Sequence, residues 1–290
     1  MKTIFPTDIS PKEMHQYMLG TITPRPIAFV STISNERINN LAPFSYFNAI
    51  SSNPPILVFS VNRKPDGSKK DTLLNIENTG ECVVNMVNSK IANQMVLSSV
   101  PYDSKVDEFA KSGLTPVKSE TIKAFGVKEA YVKFECNLNR IIHFGDFGGA
   151  SSLIICNVKC IQIVEIAFDS NGKIDQVKLD NIGRLGRAYY LKMTKENVFT
   201  IPHIKTKNPL GFDRLPKSIT NSRFLTGNLI SQIAGLEKLP SKEETEEYKN
   251  LLDKFSPETI QQIAATEINN NQIYPAAKLL MVVEYFAKEK

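Results

Sequence analysis

The chain has 290 residues, 42% hydrophobic and 22% charged, with 14 Gly, 16 Pro, 4 Cys and no Trp, a composition that excludes disorder, collagen and a disulfide scaffold. Its 35 basic and 30 acidic residues leave a net charge of +5, which favours anionic ligands but falls short of a nucleic-acid binder's basic stripe. No run approaches the ~20 apolar residues of a membrane span, and the N-terminal Met1-Lys2-Thr3-Ile4-Phe5-Pro6 lacks the apolar stretch of a secretory signal, so the expectation is a cytoplasmic protein with reduced thiols that contacts neither membrane nor nucleic acid.

The first predicted element is a helix. Ser10-Pro11-Lys12-Glu13 combines an N-cap serine, proline at the first helical position and glutamate at the third, and Gly20 is the expected stop. Short β-type runs follow at 26–31 and 56–61, bounded by Pro, Asn and Ser, and a third at 82–87 follows a helix that Gly80 ends. Two short helices are predicted around 91–97 and 106–111, the second closed by Gly113. From Ala130 through Val132, Phe134, Cys136 and Leu138 the apolar residues alternate with Tyr131, Lys133, Glu135 and Asn137, which is the period of a strand with one buried face. Another strand covers 153–166. Five or six short strands with few helices between them argue for an antiparallel barrel or sandwich reaching to about residue 200, and against a parallel βαβ sheet.

Beyond Pro202, Pro209 and Pro216 the texture turns helical. Leu225, Leu229, Ile233 and Leu236 keep helical spacing, Ser241-Lys242-Glu243-Glu244 reads as a capping box, Ser256-Pro257 starts another helix, and a last one runs from about Ile273. The expected organisation is a β-rich domain over 1–204 and a helical extension over 205–290, whose single-faced helices would pack on the barrel or form a partner-binding arm. Cys82, Cys136, Cys156 and Cys160 show no Cys-x-x-Cys spacing. Cys156 and Cys160, four strand residues apart, lie about 13 Å from each other, too far for a disulfide or a shared metal. All four are expected as core thiols.

Candidate chemistry is sparse for a hydrolase. His15, His143 and His203 are not spaced as paired ligands, so no metal site is expected, and Gly-x-Ser-x-Gly, Walker and Gly-x-Gly-x-x-Gly patterns are absent. Gly183-Arg184-Leu185-Gly186-Arg187 has the wrong spacing for a phosphate loop and also fits a turn with two solvated arginines. The run from Asn62 to Thr72 gathers Arg63, Ser68, Lys69, Lys70 and Thr72 where a strand ends and a helix begins. A helix N-terminus with such cations and hydroxyls suits a phosphomonoester, although a solvated basic turn with Asp71 as N-cap has the same sequence. The stretch 40–50 mixes Phe44, Tyr46 and Phe47 with Ser45 and Asn48, which suits a planar ring with polar edges, or equally a bulged strand in a core.

Taken in order, Thr23-Pro24-Arg25-Pro26-Ile27-Ala28-Phe29-Val30-Ser31-Thr32, Asn40-Leu41-Ala42-Pro43-Phe44-Ser45-Tyr46-Phe47-Asn48-Ala49-Ile50, Pro54-Pro55, Lys70-Asp71-Thr72-Leu73-Leu74-Asn75-Ile76 and Gly80-Glu81-Cys82-Val83-Val84-Asn85 resemble the flavin reductase-like family with the FMN-binding split-barrel fold. The likeness continues through Gly113-Leu114-Thr115-Pro116 and Glu135-Cys136, covering about residues 5–200. It implies a mainly β protein with peripheral helices, built on a six-stranded antiparallel Greek-key split β-barrel, with the helical C-terminal extension as an addition. It also implies a homodimer holding FMN near the interface, and NADH or NADPH as electron donor for flavin reduction or onward electron transfer, with a redox partner protein among the candidate acceptors. By position, Thr23, Arg25 and Pro26 would line the cofactor, Ser45, Asn48 and Ala49 would face the ring edge, and Asn62, Arg63, Ser68, Lys69, Lys70 and Thr72 would hold the phosphate.

No catalytic side chain is implied, because flavin itself accepts the hydride. His143, Arg184 and Tyr189 are candidates for the nicotinamide side. The resemblance also covers a non-enzymatic FMN-binding electron carrier or flavin-holding module, and a flavin-free anion-binding barrel is the remaining reading. Gly148-Gly149-Ala150-Ser151-Ser152 departs from members that place a ring-contacting histidine or asparagine there, whereas Gly211-Phe212-Asp213-Arg214-Leu215-Pro216 and Leu225-Thr226-Gly227-Asn228 resemble features of longer members.

Overall fold

The computed structural model describes residues 1–287 and divides into two compact units, Met1–Phe199 and a second beginning at Thr200. Helix α1 (Pro11–Thr21) starts with the predicted capping box: Ser10 Oγ accepts from the Glu13 amide, and the Glu13 carboxylate accepts from the Ser10 amide. Gly20 does not stop it. The helix runs through Gly20 and ends at Ile22, whose amide bonds back to Met18 O, so the small residue is accommodated as an ordinary helical position.

Strands β1 (Ala28–Ile33), β2 (Asn39–Phe44), β3 (Phe47–Ser52) and β4 (Pro55–Asn62) follow in quick succession. Then come α2 (Asp71–Thr79), β5 (Glu81–Met86), α3 (Ala92–Leu97), α4 (Glu108–Ser112), the two-residue strands β6 (Pro116–Val117) and β7 (Gly126–Val127), and the long hairpin β8 (Val132–His143) and β9 (Ser151–Ile163). Gly80 ends α2 in the left-handed region at φ 70°, the conformation that favours glycine at a helix C-terminus. Helix α5 (Gln176–Leu179) and the small hairpin β10 (Ile182–Arg184) and β11 (Tyr190–Lys192) complete the unit.

The main sheet has seven strands in the order β2-β1-β5-β8-β9-β4-β3, every neighbouring pair antiparallel, where six strands are expected from the sequence. The difference arises at residues 40–50, which split into two strands on opposite edges of the sheet. Only Ser45 and Tyr46 separate β2 from β3. Because the three residue steps from Phe44 to Phe47 span at most about 11 Å, the two edges must come together, and the sheet closes into a barrel. The Ser60 amide, bonded to Tyr46 O at 2.9 Å, holds the junction against β4.

Alternate residues of the strands fill the barrel: Ala28 and Val30, Leu57, Phe59 and Val61, Cys82 and Val84, with Ile154 and Cys156. Three of the four cysteines meet there. Cys82 and Cys136 are register partners on β5 and β8, and Cys82 Sγ lies 3.8 Å from Cys156 Sγ with all four thiols free. Cys160, by contrast, is only half-buried. On the outer face of β1 and β2, Phe29 and Leu41, with Ile27 just ahead of β1, pack under Met95 of α3 and Phe109 of α4. The fold is a mainly β split barrel with peripheral helices.

The second unit contains α6 (Lys217–Thr220), α7 (Gly227–Ala234), α8 (Lys242–Thr245), α9 (Pro257–Asn269) and α10 (Ile273–Phe286). The capping box at Ser241 and the start at Ser256-Pro257 are both present. Its buried apolar residues, among them Ile219, Ile233, Ile260, Ile268 and Leu280, form a core of their own. The apolar helix faces that the sequence assigns to barrel packing or to a partner thus bury one another. No helix among the described residues is long and apolar enough to cross a membrane.

Candidate functional site

Arg25 precedes β1 and is only 4% exposed, so its charge must be satisfied locally. Nη1 donates to Leu19 O at 2.6 Å and Ile22 O at 2.8 Å, Nη2 donates to Leu185 O at 3.1 Å, and Nε donates to Ser45 Oγ at 3.3 Å. Its main chain exchanges hydrogen bonds with Arg184, 2.9 Å from the Arg25 amide and 2.8 Å from the Arg184 amide. One buried cation therefore joins the end of α1, the β10–β11 hairpin and the junction where the barrel closes. Burial lowers the proton affinity of this guanidinium; Tyr46 opposes that shift and the neighbouring Arg184 charge adds to it.

Beside this junction opens a cavity of about 560 Å³, lined by Phe44, Ser45, Arg184 and Tyr190, with Met95 and Ser99 among the residues contributed by the α3 region. The volume lies within the roughly 300–1,000 Å³ usual for small-molecule sites. Arg184 stacks over Tyr190 with its guanidinium carbon 4.4 Å from the ring centroid, which fixes a planar cation at the wall. Lys70, the N-cap residue of α2, places Nζ 5.9 Å from the centroid of Phe44, another lining residue. Lost hydration, and then the Lys64 charge, hold the Lys70 pKa below the ordinary lysine value.

Of the sequence-predicted residues, Ser45 and Arg184 line this cavity, Arg25 lies behind them and is hydrogen-bonded to both, and Lys70 reaches toward its Phe44 wall. Thr23 is exposed beside the cis Thr23–Pro24 bond, Pro26 is half-buried, and Asn48 and Ala49 lie exposed on edge strand β3. Tyr189 is exposed near the hairpin turn. Asn62 ends β4.

The predicted phosphate seat is mostly committed to protein contacts. Lys69 Nζ lies 2.8 and 2.7 Å from the two carboxylate oxygens of Glu77. Ser68 donates its hydroxyl to Asp66 Oδ1 at 2.6 Å, a bond that lowers the Asp66 pKa. Arg63 donates to Gly145 O at 3.3 Å and Gly67 O at 2.9 Å. Thr72 is 1% exposed, and its Oγ1 accepts from Asn40 Nδ2 at 2.9 Å inside a buried network with Thr32 and Asn75. Lys70, not Asp71, occupies the N-cap of α2, and Asp71 lies 3.9 Å from Lys64.

His143 stands apart from the cavity lining. Its Nδ1 shares a 2.9 Å hydrogen bond with Ser152 Oγ, and its Nε2 lies 3.8 Å from the same Glu77 that holds Lys69. At the departure noted in the sequence, a Cβ on Gly148 would collide with the Pro65 carbonyl, so a side chain there would displace the turn over residues 64–68. The residues that sequence reasoning missed are those of the α3 region, Met95, Val96 and Ser99, and Tyr190 of β11. The Arg184–Tyr190 pairing carries a signal in retrospect: the two face each other across the hairpin.

Residues 19–178, which are 160 of the 290, match the flavin reductase like domain. The chain belongs to that family. An uncharacterized protein of Aquifex aeolicus (strain VF5) is 39% identical over 179 residues, 62% of this chain and 89% of that one. YwrF of Bacillus subtilis (strain 168), also uncharacterized, is 37% identical over 197 residues, 67% of this chain and 96% of its own length. Among solved structures, nitrilotriacetate monooxygenase component B from Bacillus cereus superposes with a TM-score of 0.65 at 33% identity, covering 69% of this chain and 98% of that one. The 2-nitrobenzoate 2-nitroreductase NbaA from Pseudomonas fluorescens gives 0.60 at 29% identity, covering 69% and 96%. The family match ends at residue 178, before the second unit begins at Thr200.

Proposed function

We propose that this flavin reductase-like protein is an FMN-dependent oxidoreductase that draws reducing equivalents from NADH or NADPH and passes them to an acceptor, either a small molecule or a redox partner protein. The observation that carries the reading is the cavity at the barrel closure. Phe44, Met95 and Tyr190 give it apolar walls, Ser45 provides a hydroxyl, and Arg184 with nearby Lys70 supplies positive charge for an anionic, ring-bearing ligand. The similar structures named above are a monooxygenase component and a nitroreductase, both oxidoreductases by name.

The residues fit the cofactor in kind. Ser45 would meet the edge of the ring, and Lys70, without an ion pair among the described residues, is the cation best placed for the phosphate at the α2 N-terminus. Arg184 would border the nicotinamide side. Arg25 would act by holding Ser45 and the hairpin in place rather than by touching the ligand. When bound, FMN supplies the redox chemistry, which accounts for a site without an acid–base pair or nucleophile. We assign the protein to homodimers on the basis of its exposed apolar groups, Ile50 on edge strand β3 and Ile142, Phe144 and Phe147 around the β8–β9 turn.

The test is titration of the protein with FMN, followed by quenching of flavin fluorescence, for the wild type and for Lys70→Ala and Arg184→Ala. Tight binding by the wild type, weakened roughly tenfold or more in Lys70→Ala, supports the reading. Equal affinity in all three proteins places the cofactor elsewhere.

A further inference from the structure

On another face of the first unit, α2, α4 and β2 enclose a second cavity of about 340 Å³ whose lining includes Asn39, Asn40, Asp71, Asn75, Asn78 and Glu108. Its character is opposite to that of the first. Asn40 and Asn75 are each 7% exposed and Glu108 is 8% exposed, so three polar side chains at this wall are more than nine-tenths buried. Asn40 uses its amide hydrogens on Thr32 and Thr72, and Asn75 donates to Thr32, while neither Oδ1 atom accepts a hydrogen bond among the described residues. Apart from its own amide, the Glu108 carboxylate has one partner, the Leu41 N–H at 3.0 Å. The cavity wall therefore offers acceptor oxygens whose partners the protein does not supply.

Three carboxylates line this space, those of Glu36, Asp71 and Glu108, against the single lining ammonium of Lys105 and the Lys64 that lies 3.9 Å from Asp71, and this acidic excess makes the cavity hostile to phosphate and receptive to a cation. A metal ion is the weaker candidate, because no group of three or more His, Cys, Asp or Glu among the described residues is placed to hold one. An ammonium group needs only three acceptors and no donor, which is what the wall presents. We propose that this cleft binds a small primary alkylammonium, such as one end of a diamine, through Glu108, Asp71, Asn40 and Asn75. The site is separate from the cavity assigned to flavin, and the inference does not depend on that assignment.

Burial supports it, holding the Glu108 pKa up at about 7, with Asp71 and Asp107 raising it further and the Leu41 amide opposing. A bound cation favours the ionised carboxylate, so binding strengthens as pH rises through neutrality. The charged groups around Glu108 are Asp71 on α2, Asp107 beside it, which accepts from Asn39 and caps α4, and Lys105 and Glu36 among the other lining residues.

The experiment is calorimetric titration of the full chain with 1,4-diaminobutane at pH 6 and pH 8, with 1,4-butanediol, Mg²⁺ and Ca²⁺ as comparison ligands, repeated on Glu108→Gln and Asp71→Asn. The proposal expects diamine binding that is tighter at pH 8, absent for butanediol, and weakened roughly tenfold or more by either substitution, the loss of one charge-assisted contact. It is overturned by no diamine binding, by binding that both variants retain, by equal binding of butanediol, or by binding of a divalent metal without the diamine. The wild-type pH and ligand comparisons decide the matter even where a variant fails to fold.

Discussion

Arg25 Nε donates to Ser45 Oγ at 3.3 Å, and this bond ties the residue ahead of β1 to the two-residue junction that closes the barrel. The same guanidinium bonds three main-chain carbonyls, so the wall of the candidate flavin cavity and the integrity of the fold meet in one side chain.

Arg25→Ala leaves the carbonyls of Leu19, Ile22 and Leu185 without this donor and is expected to cost about 3 kcal/mol of stability. Arg25→Lys recovers little of it, because a point ammonium cannot span three divergent acceptors and Ser45. Urea denaturation of the three proteins measures the difference, and a loss below about 0.5 kcal/mol in Arg25→Ala contradicts the structural role.

Lys70, Lys69 and Thr72 separate cleanly. Lys70→Ala is expected to weaken FMN binding with little effect on folding. Lys69→Ala leaves FMN affinity within about twofold, since Glu77 already holds the ammonium with both oxygens. Thr72→Val leaves an Asn40 N–H unpaired inside the buried network and costs about 1–2 kcal/mol of stability while sparing FMN affinity. Fluorescence titration and thermal unfolding on the same three variants read both quantities.

Glu108 has a folded-state pKa raised to about 7 from an ordinary 4.5. The folded protein therefore holds this proton more tightly than the unfolded chain, and the contribution of Glu108 to stability falls as pH rises from about 4.5 to about 7, then levels off. Glu108→Gln cannot titrate, so its midpoint of thermal unfolding should decline less than the wild type's between pH 5 and pH 8. Parallel profiles for the two proteins would contradict this.

A thiol reagent should label Cys160 in the native protein and reach Cys82, Cys136 and Cys156 only after unfolding, because those three face the barrel interior at 1%, 0% and 0% exposure. Counting labelled cysteines before and after denaturant gives the answer.

Many features set by neighbouring residues were legible in the sequence, although the stop expected at Gly20 was not borne out, since α1 runs through it. The capping boxes at Ser10 and Ser241 and the helix stop at Gly80 each depend on a few adjacent groups, and each is present. Features set across the fold were not. Residues 40–50 become two strands on opposite edges because the barrel must close, which local pattern cannot reveal. Thr72 has the sequence setting of a phosphate ligand, yet helix periodicity turns it inward to Asn40, while Lys69, just ahead of the helix, reaches Glu77 on it. Cys82, Cys136 and Cys156 are far apart in sequence and meet only because alternate positions of β5, β8 and β9 share the barrel interior. The ordered family motifs carried the fold, and packing decided which of their side chains remained available.

The central claim is that the barrel-closure cavity holds FMN and that the bound flavin takes electrons from a reduced nicotinamide. The most direct measurement is the visible absorption spectrum of the protein saturated with FMN, recorded anaerobically during titration with NADH and, separately, NADPH. The account predicts a bound-flavin spectrum that bleaches with one of the two donors. Flavin that stays oxidised with both would leave a carrier or flavin-holding module in place of the reductase, and a protein that binds no FMN would contradict the account altogether.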